Sequence, residues 1–184
     1  MPRYVALLRG INVGGNTMIK MEELRKSFEA LGFDRVVSYI NSGNLAFDIS
    51  SPHVSKGSSK TEVELVNKIE TAVENDFGKA VKTMVRAQKD IERILANNPY
   101  DGEFSSHKEM HVLFLNEELS QEKAALLRGM APEAERFTVA GREIYCHLPM
   151  GVADSVLGRG SFEKKLKIGV TARNWRTVEK LAKL

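Results

Sequence analysis

Two short polar stretches hold the residues best suited to chemistry: Arg9-Gly10-Ile11-Asn12-Val13-Gly14-Gly15 and Thr171-Ala172-Arg173-Asn174-Trp175. An arginine offers a planar five-donor fork that matches phosphate or carboxylate, and glycines let backbone pass close to such a group. The first stretch lies between an apolar strand pattern and a helical one, a place where backbone amides converge on anions. It is neither a dinucleotide fingerprint nor a P-loop, because Ile11-Asn12-Val13 parts Gly10 from the later glycines and no Lys-Ser/Thr pair follows. A turn needs neither the Arg9 nor the Asn12 side chain, so these two, with Gly14 and Gly15, form a candidate ligand site. Arg173 and Asn174 join them. The sequence reads as a C-terminal helix capped by Thr171, with Arg173 in its first turn, where its charge opposes the helix dipole unless an anion compensates. Trp175, Val178 and Leu181 then supply that helix's packing stripe.

Other chemistry is poorly supported. Cys146 and His147 are adjacent in an apolar strand pattern, so they point to opposite faces and cannot form a nucleophile–base pair. Cys146 reads as a buried, inert thiol. His107 and His111 have metal-like spacing but straddle a loop-to-strand junction and would need a third ligand from elsewhere in the chain. No serine elbow is present, and the sequence assigns no cofactor, metal or oligomeric state. Asn41-Ser42-Gly43-Asn44 has the residues of a tight hairpin turn, whose Gly and Asn tolerate positive φ.

The elements that must position these residues follow from the apolar pattern. Residues 4–8 form a buried strand, and Met21, Leu24, Phe28 and Leu31 mark a helix. Strands at 36–40 and 45–47 flank the turn. A polar loop over 50–60 should be mobile and first to be nicked by protease, since Val54 alone offers burial there. A helix with Val63, Val66, Ile69, Val73 and Phe77 on one stripe and a strand at 81–85 complete a β-α-β-β-α-β unit. A connecting helix over 90–96 leads to a second set: a strand at 111–115, a helix at 120–128, strands at 136–139 and 144–148, and a helical tail. The expected fold is α+β with two ferredoxin-like subdomains, the second incomplete or modified for want of a last strand. The expected boundaries are 1–87, a connector over 88–108, and 109–184.

The motifs at Arg9 to Gly15, Tyr39-Ile40-Asn41-Ser42-Gly43-Asn44 and Thr171 to Trp175 resemble those of the bacterial family known as domain of unknown function 1697. The resemblance implies two ferredoxin-like subdomains in a cytosolic bacterial protein, and it supplies no activity, cofactor or catalytic residue. Ala172 departs from it, standing where a second polar residue before Arg-Asn-Trp is expected.

Composition narrows the function classes. The 184 residues carry a net charge of +3. From residue 159 onward, eight basic residues face two glutamates, a net of +6, so the remainder is at −3. Such asymmetry points to an anionic partner. One cysteine excludes an intrachain disulfide framework and suits a reducing, cytoplasmic setting. No apolar run approaches a membrane span, and the short run at 4–8 is no signal peptide. Three classes remain: a binding module for an anionic small molecule such as a nucleotide or phosphorylated metabolite; a nucleic-acid-binding protein using the basic C-terminal region; and a small enzyme at the same polar residues. The strands lack the spaced aromatics of RNA-binding sheets, which ranks the first ahead of the second.

Overall fold

The computed structural model describes residues 1–15, 17–50, 59–158 and 162–184. The chain divides into two compact units, Met1–Ile94 with Lys180–Leu184, and Leu95–Glu179.

The first unit runs β1 (Arg3–Leu8), α1 (Met21–Ala30), β2 (Phe33–Tyr39), β3 (Asn44–Ile49), α2 (Ser59–Phe77) and β4 (Thr83–Ala87), followed by α3 (Gln88–Ala96). Its sheet has the order β2-β3-β1-β4, with every neighbouring pair antiparallel. β3 thus splits the β1-α1-β2 crossover. One face of this sheet packs on α1 and α2. Tyr4, Ala6 and Leu8 alternate onto that face and meet Leu24, Phe28, Ile69 and Val73. Phe33 stacks on Phe47 at 4.4 Å between centroids, and Phe28 meets Phe47 edge-on at 5.5 Å. Such pairs add about 1 kcal/mol each beyond their buried area.

The second unit repeats the order: β5 (Met110–Leu115), α4 (Gln121–Met130), β6 (Arg136–Ala140), β7 (Glu143–His147), α5 (Phe162–Leu166) and β8 (Val170–Asn174), then α6 (Trp175–Leu181). Its sheet is β6-β7-β5-β8, again antiparallel throughout. Leu113, Leu115, Leu127, Ile144 and Leu148 form its core, with Cys146 buried among them. Burial pushes the Cys146 thiol well above its usual range. Ser120 caps α4 by accepting from Lys123 N at 3.2 Å.

Four local readings are corrected. The second unit does not lack its last strand: β8 supplies it, and the modification is α5, only five residues long where α2 has nineteen. Thr171 is therefore no helix cap but a strand residue paired with Phe114, and Arg173 lies in β8 opposite Val112 rather than in a first helical turn. The dipole conflict inferred for it disappears. The α2 stripe is set by Leu65, Ile69 and Val73, while Val63 is exposed, because Glu62 turns inward to accept Ala87 N at 3.1 Å. Finally, the left-handed residues of the β2–β3 turn are Ile40 and Gly43, not an asparagine. Of the loop expected to be mobile over 50–60, residues 51–58 lie outside the described residues, while Ser59 and Lys60 already belong to α2. Among the described residues, no helix is long and apolar enough to cross a membrane.

Candidate functional site

The loop after β1 and the β2–β3 turn meet at one end of the first unit's sheet. β1 runs antiparallel to β3, so Leu7 at its end pairs with Asn44 at the start of β3, and Leu8 N donates to Gly43 O at 2.8 Å. The strand register thus joins two motifs lying some thirty residues apart in the chain. β4 enters at the same end, where Arg9 N donates to Lys82 O at 2.8 Å. Gly43 is required twice over: its φ is +80°, and a Cβ there would lie 2.8 Å from both Ile11 and Leu8 side chains.

Asn12 holds the ensemble. Its Nδ2 donates to Ile19 O and to Asn41 O, each at 2.8 Å, while its Oδ1 accepts Ile19 N at 2.8 Å. Its own N–H closes the loop onto Thr17 O at 2.8 Å. Asn12 adopts φ +55°, which asparagine tolerates better than most residues. The side chain sought as a ligand donor is thus occupied as a clasp between loop and hairpin. Asn44 works alike inside the turn, donating to Tyr39 O at 3.1 Å and to Ser42 Oγ at 3.0 Å.

What this clasp presents outward is Arg9, Val13, Gly14 and Gly15, all exposed. Gly14 and Gly15 are both left-handed, at φ +66° and +77°, and each opens onto free space. Residues 9–20 contain no acid, and the exposed cations at this end include Lys20 and Lys82. Lys82 pairs with Glu70 at 3.2 Å and Lys20 with Glu23 at 3.6 Å. Such exposed pairs contribute little and re-pair readily. The topologically equivalent loop of the second unit, Asn116-Glu117-Glu118-Leu119-Ser120, has two acids and no glycine. There Asn116 Oδ1 accepts Gly169 N at 3.0 Å, tying the loop to the start of β8 instead.

Arg173 and Asn174 belong to the second unit, and neither projects as a free donor. Arg173 is buried, with Nη1 donating to Thr171 Oγ1 at 2.7 Å and to Ala172 O at 2.9 Å. Burial lowers its pKa to about 10. The carbonyl of Ala172 serves this arginine, so the residue that departs from the expected polar type contributes through its backbone. Asn174 is the N-cap of α6, accepting Thr177 N and Thr177 Oγ1, each at 2.9 Å.

The sequence reading missed a polar network in the second unit. Arg136 Nη2 donates to Glu103 Oε2 at 2.5 Å and to His147 Nδ1 at 3.0 Å, and its guanidinium sits 4.7 Å over the Tyr100 ring. Tyr100 OH bonds Thr138 Oγ1 at 2.7 Å, and burial, outweighing that bond, raises the phenol's pKa. The signal was available: the short turn at Gly141-Arg142 fixes the β6–β7 register and sets Arg136 opposite His147. Tyr100 and His147 are buried, whereas Arg136 and Glu103 are exposed, so the network runs from the interior to the surface of the unit. His111, also buried, has its pKa lowered to about 4 by desolvation, whereas His107 pairs with Glu179 at 3.0 Å. The two histidines of metal-like spacing thus differ in environment.

A split β-α-β-β-α-β unit built twice, each on its own four-stranded antiparallel sheet, defines a two-unit α+β protein. The chain belongs to the family described as "Protein of unknown function (DUF1697)", which it matches over residues 1–145. Both motifs at the first unit's sheet end fall inside that span; residues 171–175 lie beyond it. A solved structure, that of the conserved bacterial protein SP0830 from Streptococcus pneumoniae, is similar at 25% identity and a TM-score of 0.75, covering 99% of this chain and 97% of that one. No curated protein matches the chain.

Proposed function

We propose that this protein binds an anionic small molecule at the end of the first unit's sheet, with Arg9 and the exposed backbone at Gly14 and Gly15 as the recognition elements. One observation carries the reading. An acid-free glycine loop is clasped by Asn12 so that Arg9, Gly14 and Gly15 face solvent, while the equivalent loop of the second unit carries Glu117 and Glu118. A loop already held by three side-chain bonds loses little entropy when it binds, which favours affinity. Arg9 supplies a fork of donors, and two left-handed glycines admit an anion close to the backbone.

In this reading Asn12 positions the site rather than touching the ligand. Arg173 and Asn174 serve β8 and α6 and are set aside as ligand contacts. The burial of Arg173 also withdraws one cation from the basic C-terminal region, which weighs against the nucleic-acid reading. A buried free Cys146 accords with a cytoplasmic setting.

Native mass spectrometry of freshly purified protein tests the reading. The expected result is a retained anionic adduct on the wild type that Arg9→Ala loses. An adduct retained equally by Arg9→Ala would place the anion elsewhere.

A further inference from the structure

Three exposed hydrophobic side chains surround the Asn12 clasp. Val13 is 61% exposed, Met18 67% and Ile40 50%. Each stands one residue, ~3.8 Å of chain, from a position that the Asn12 side chain joins: Asn12 itself, Ile19 and Asn41. Single exposed apolar residues are ordinary, but three standing within one residue of the same clasp concentrate exposed apolar surface there, which suits a partner. Ile40 adds a second, independent oddity. It holds φ +49°, a conformation in which a β-branched residue is a genuine outlier. Asparagine, aspartate or glycine suits such a turn position, and Asn41 is next in the chain, yet isoleucine occupies it. A strained residue that also exposes half of an apolar side chain contributes to neither backbone comfort nor core burial, and such conflicts gather where function requires them. Three cations adjoin the patch: Arg9 and Lys20 lie in the same loop, and Lys82 is joined to Arg9 through its backbone, the two lysines being in exposed pairs with Glu23 and Glu70.

We infer that the site takes an organic phosphomonoester, whose phosphate lies at Arg9, Gly14 and Gly15 and whose apolar or aromatic body rests on Val13, Met18 and Ile40. This inference rests on the anion reading above and adds to it the chemical class of the ligand. Two cations, Arg9 and Lys20, and no acid in the loop suit a dianion, and the adjoining apolar trio suits an attached hydrophobic group and offers nothing to a bare inorganic ion.

Calorimetric titration of the full chain with inorganic phosphate and with phenyl phosphate separates the two claims. In the wild type, phenyl phosphate should bind at least ten-fold more tightly than phosphate. Ile40→Gly, which relieves the strained φ and removes the side chain, should erase that preference while leaving the phosphate affinity unchanged. Val13→Ser should reduce the same preference without touching the turn, which keeps the test open if Ile40→Gly fails to fold. Equal binding of the two probes would overturn this inference and leave anion binding standing. Failure of both probes to bind would overturn both. Sedimentation at the same concentrations gives the remaining outcome: a wild-type dimer that Ile40→Gly converts to monomer, with no preference between probes, would assign the patch to a second copy of the chain and overturn the ligand reading.

Discussion

At the scale of single residues, this protein uses polar side chains mainly to fix backbone. Asn12 spends its amide donors and acceptor on Ile19 and Asn41. Asn12→Ala should therefore cost about 2 kcal/mol, the sum of lost bonds and a left-handed conformation that alanine resists, read as a lowered Tm. Asn12→Gly keeps the φ and loses only the clasp, so it should fall between wild type and alanine. Asp48 is fully buried, bonded by Arg3 Nη1 at 2.7 Å and by Arg35, which reaches it from a β-bulge at φ +46°. Asp48→Asn leaves the half-open Arg3 and the exposed Arg35 facing a neutral amide and should destabilise by about 2 kcal/mol, measurable by urea denaturation. His111 gives a pH dependence of defined sign. Its folded pKa of about 4 lies below the usual 6.5, so the unfolded chain binds more protons between those values. Stability should be intact above pH 6.5 and fall on acidification toward pH 4, by on the order of 3 kcal/mol in full. His111→Phe should flatten that part of the profile; an unchanged profile would remove His111 as its cause.

At the scale of elements, the sequence pattern reached furthest where one residue type served one purpose. The apolar run of β1 and the Leu24–Phe28 spacing of α1 were legible because burial alone sets them. β8 was not legible. Val170 to Asn174 is a short segment whose buried residues include Thr171 and Arg173, so hydrophobic alternation is broken by groups that burial does not ordinarily select. The cap was displaced by three residues for the same reason: Asn174 and Thr171 are both good caps, and only the strand pairing of Thr171 with Phe114 decides between them. Asn174→Ala should lower stability by about 1 kcal/mol and Asn174→Gly by only a few tenths, whereas neither should alter anion retention. A loss of retention in Asn174→Ala would return this residue to the site. The candidate site itself was half legible. Arg9, Gly14 and Gly15 stood out by type, but the role of Asn12 depends on partners 7 and 29 residues away, and local spacing carries no record of that. Nor did the turn motif reveal that Ile40 takes the left-handed position.

At the scale of the whole molecule, the same β-α-β-β-α-β order is built twice, and the loop after the first strand differs in chemistry between the units. In one unit it is Arg9 with five later glycine and asparagine positions and no acid; in the other it carries Glu117 and Glu118. Topology thus serves as an internal control: the strand order is common to both, so the contrast lies in the side chains. The proposal that the first loop receives an anion through Arg9 rests on that contrast. The most direct measurement is an amide NMR titration of the full chain with inorganic phosphate, run in parallel on wild type and Arg9→Ala. The prediction is a saturable shift confined to residues 10–15 and their neighbours in the wild type, absent in Arg9→Ala, with the variant's stability within roughly 0.5 kcal/mol of wild type as expected for a surface change. Shifts of equal size in Arg9→Ala, or a phosphate response centred on the second unit with the first loop silent, would contradict it.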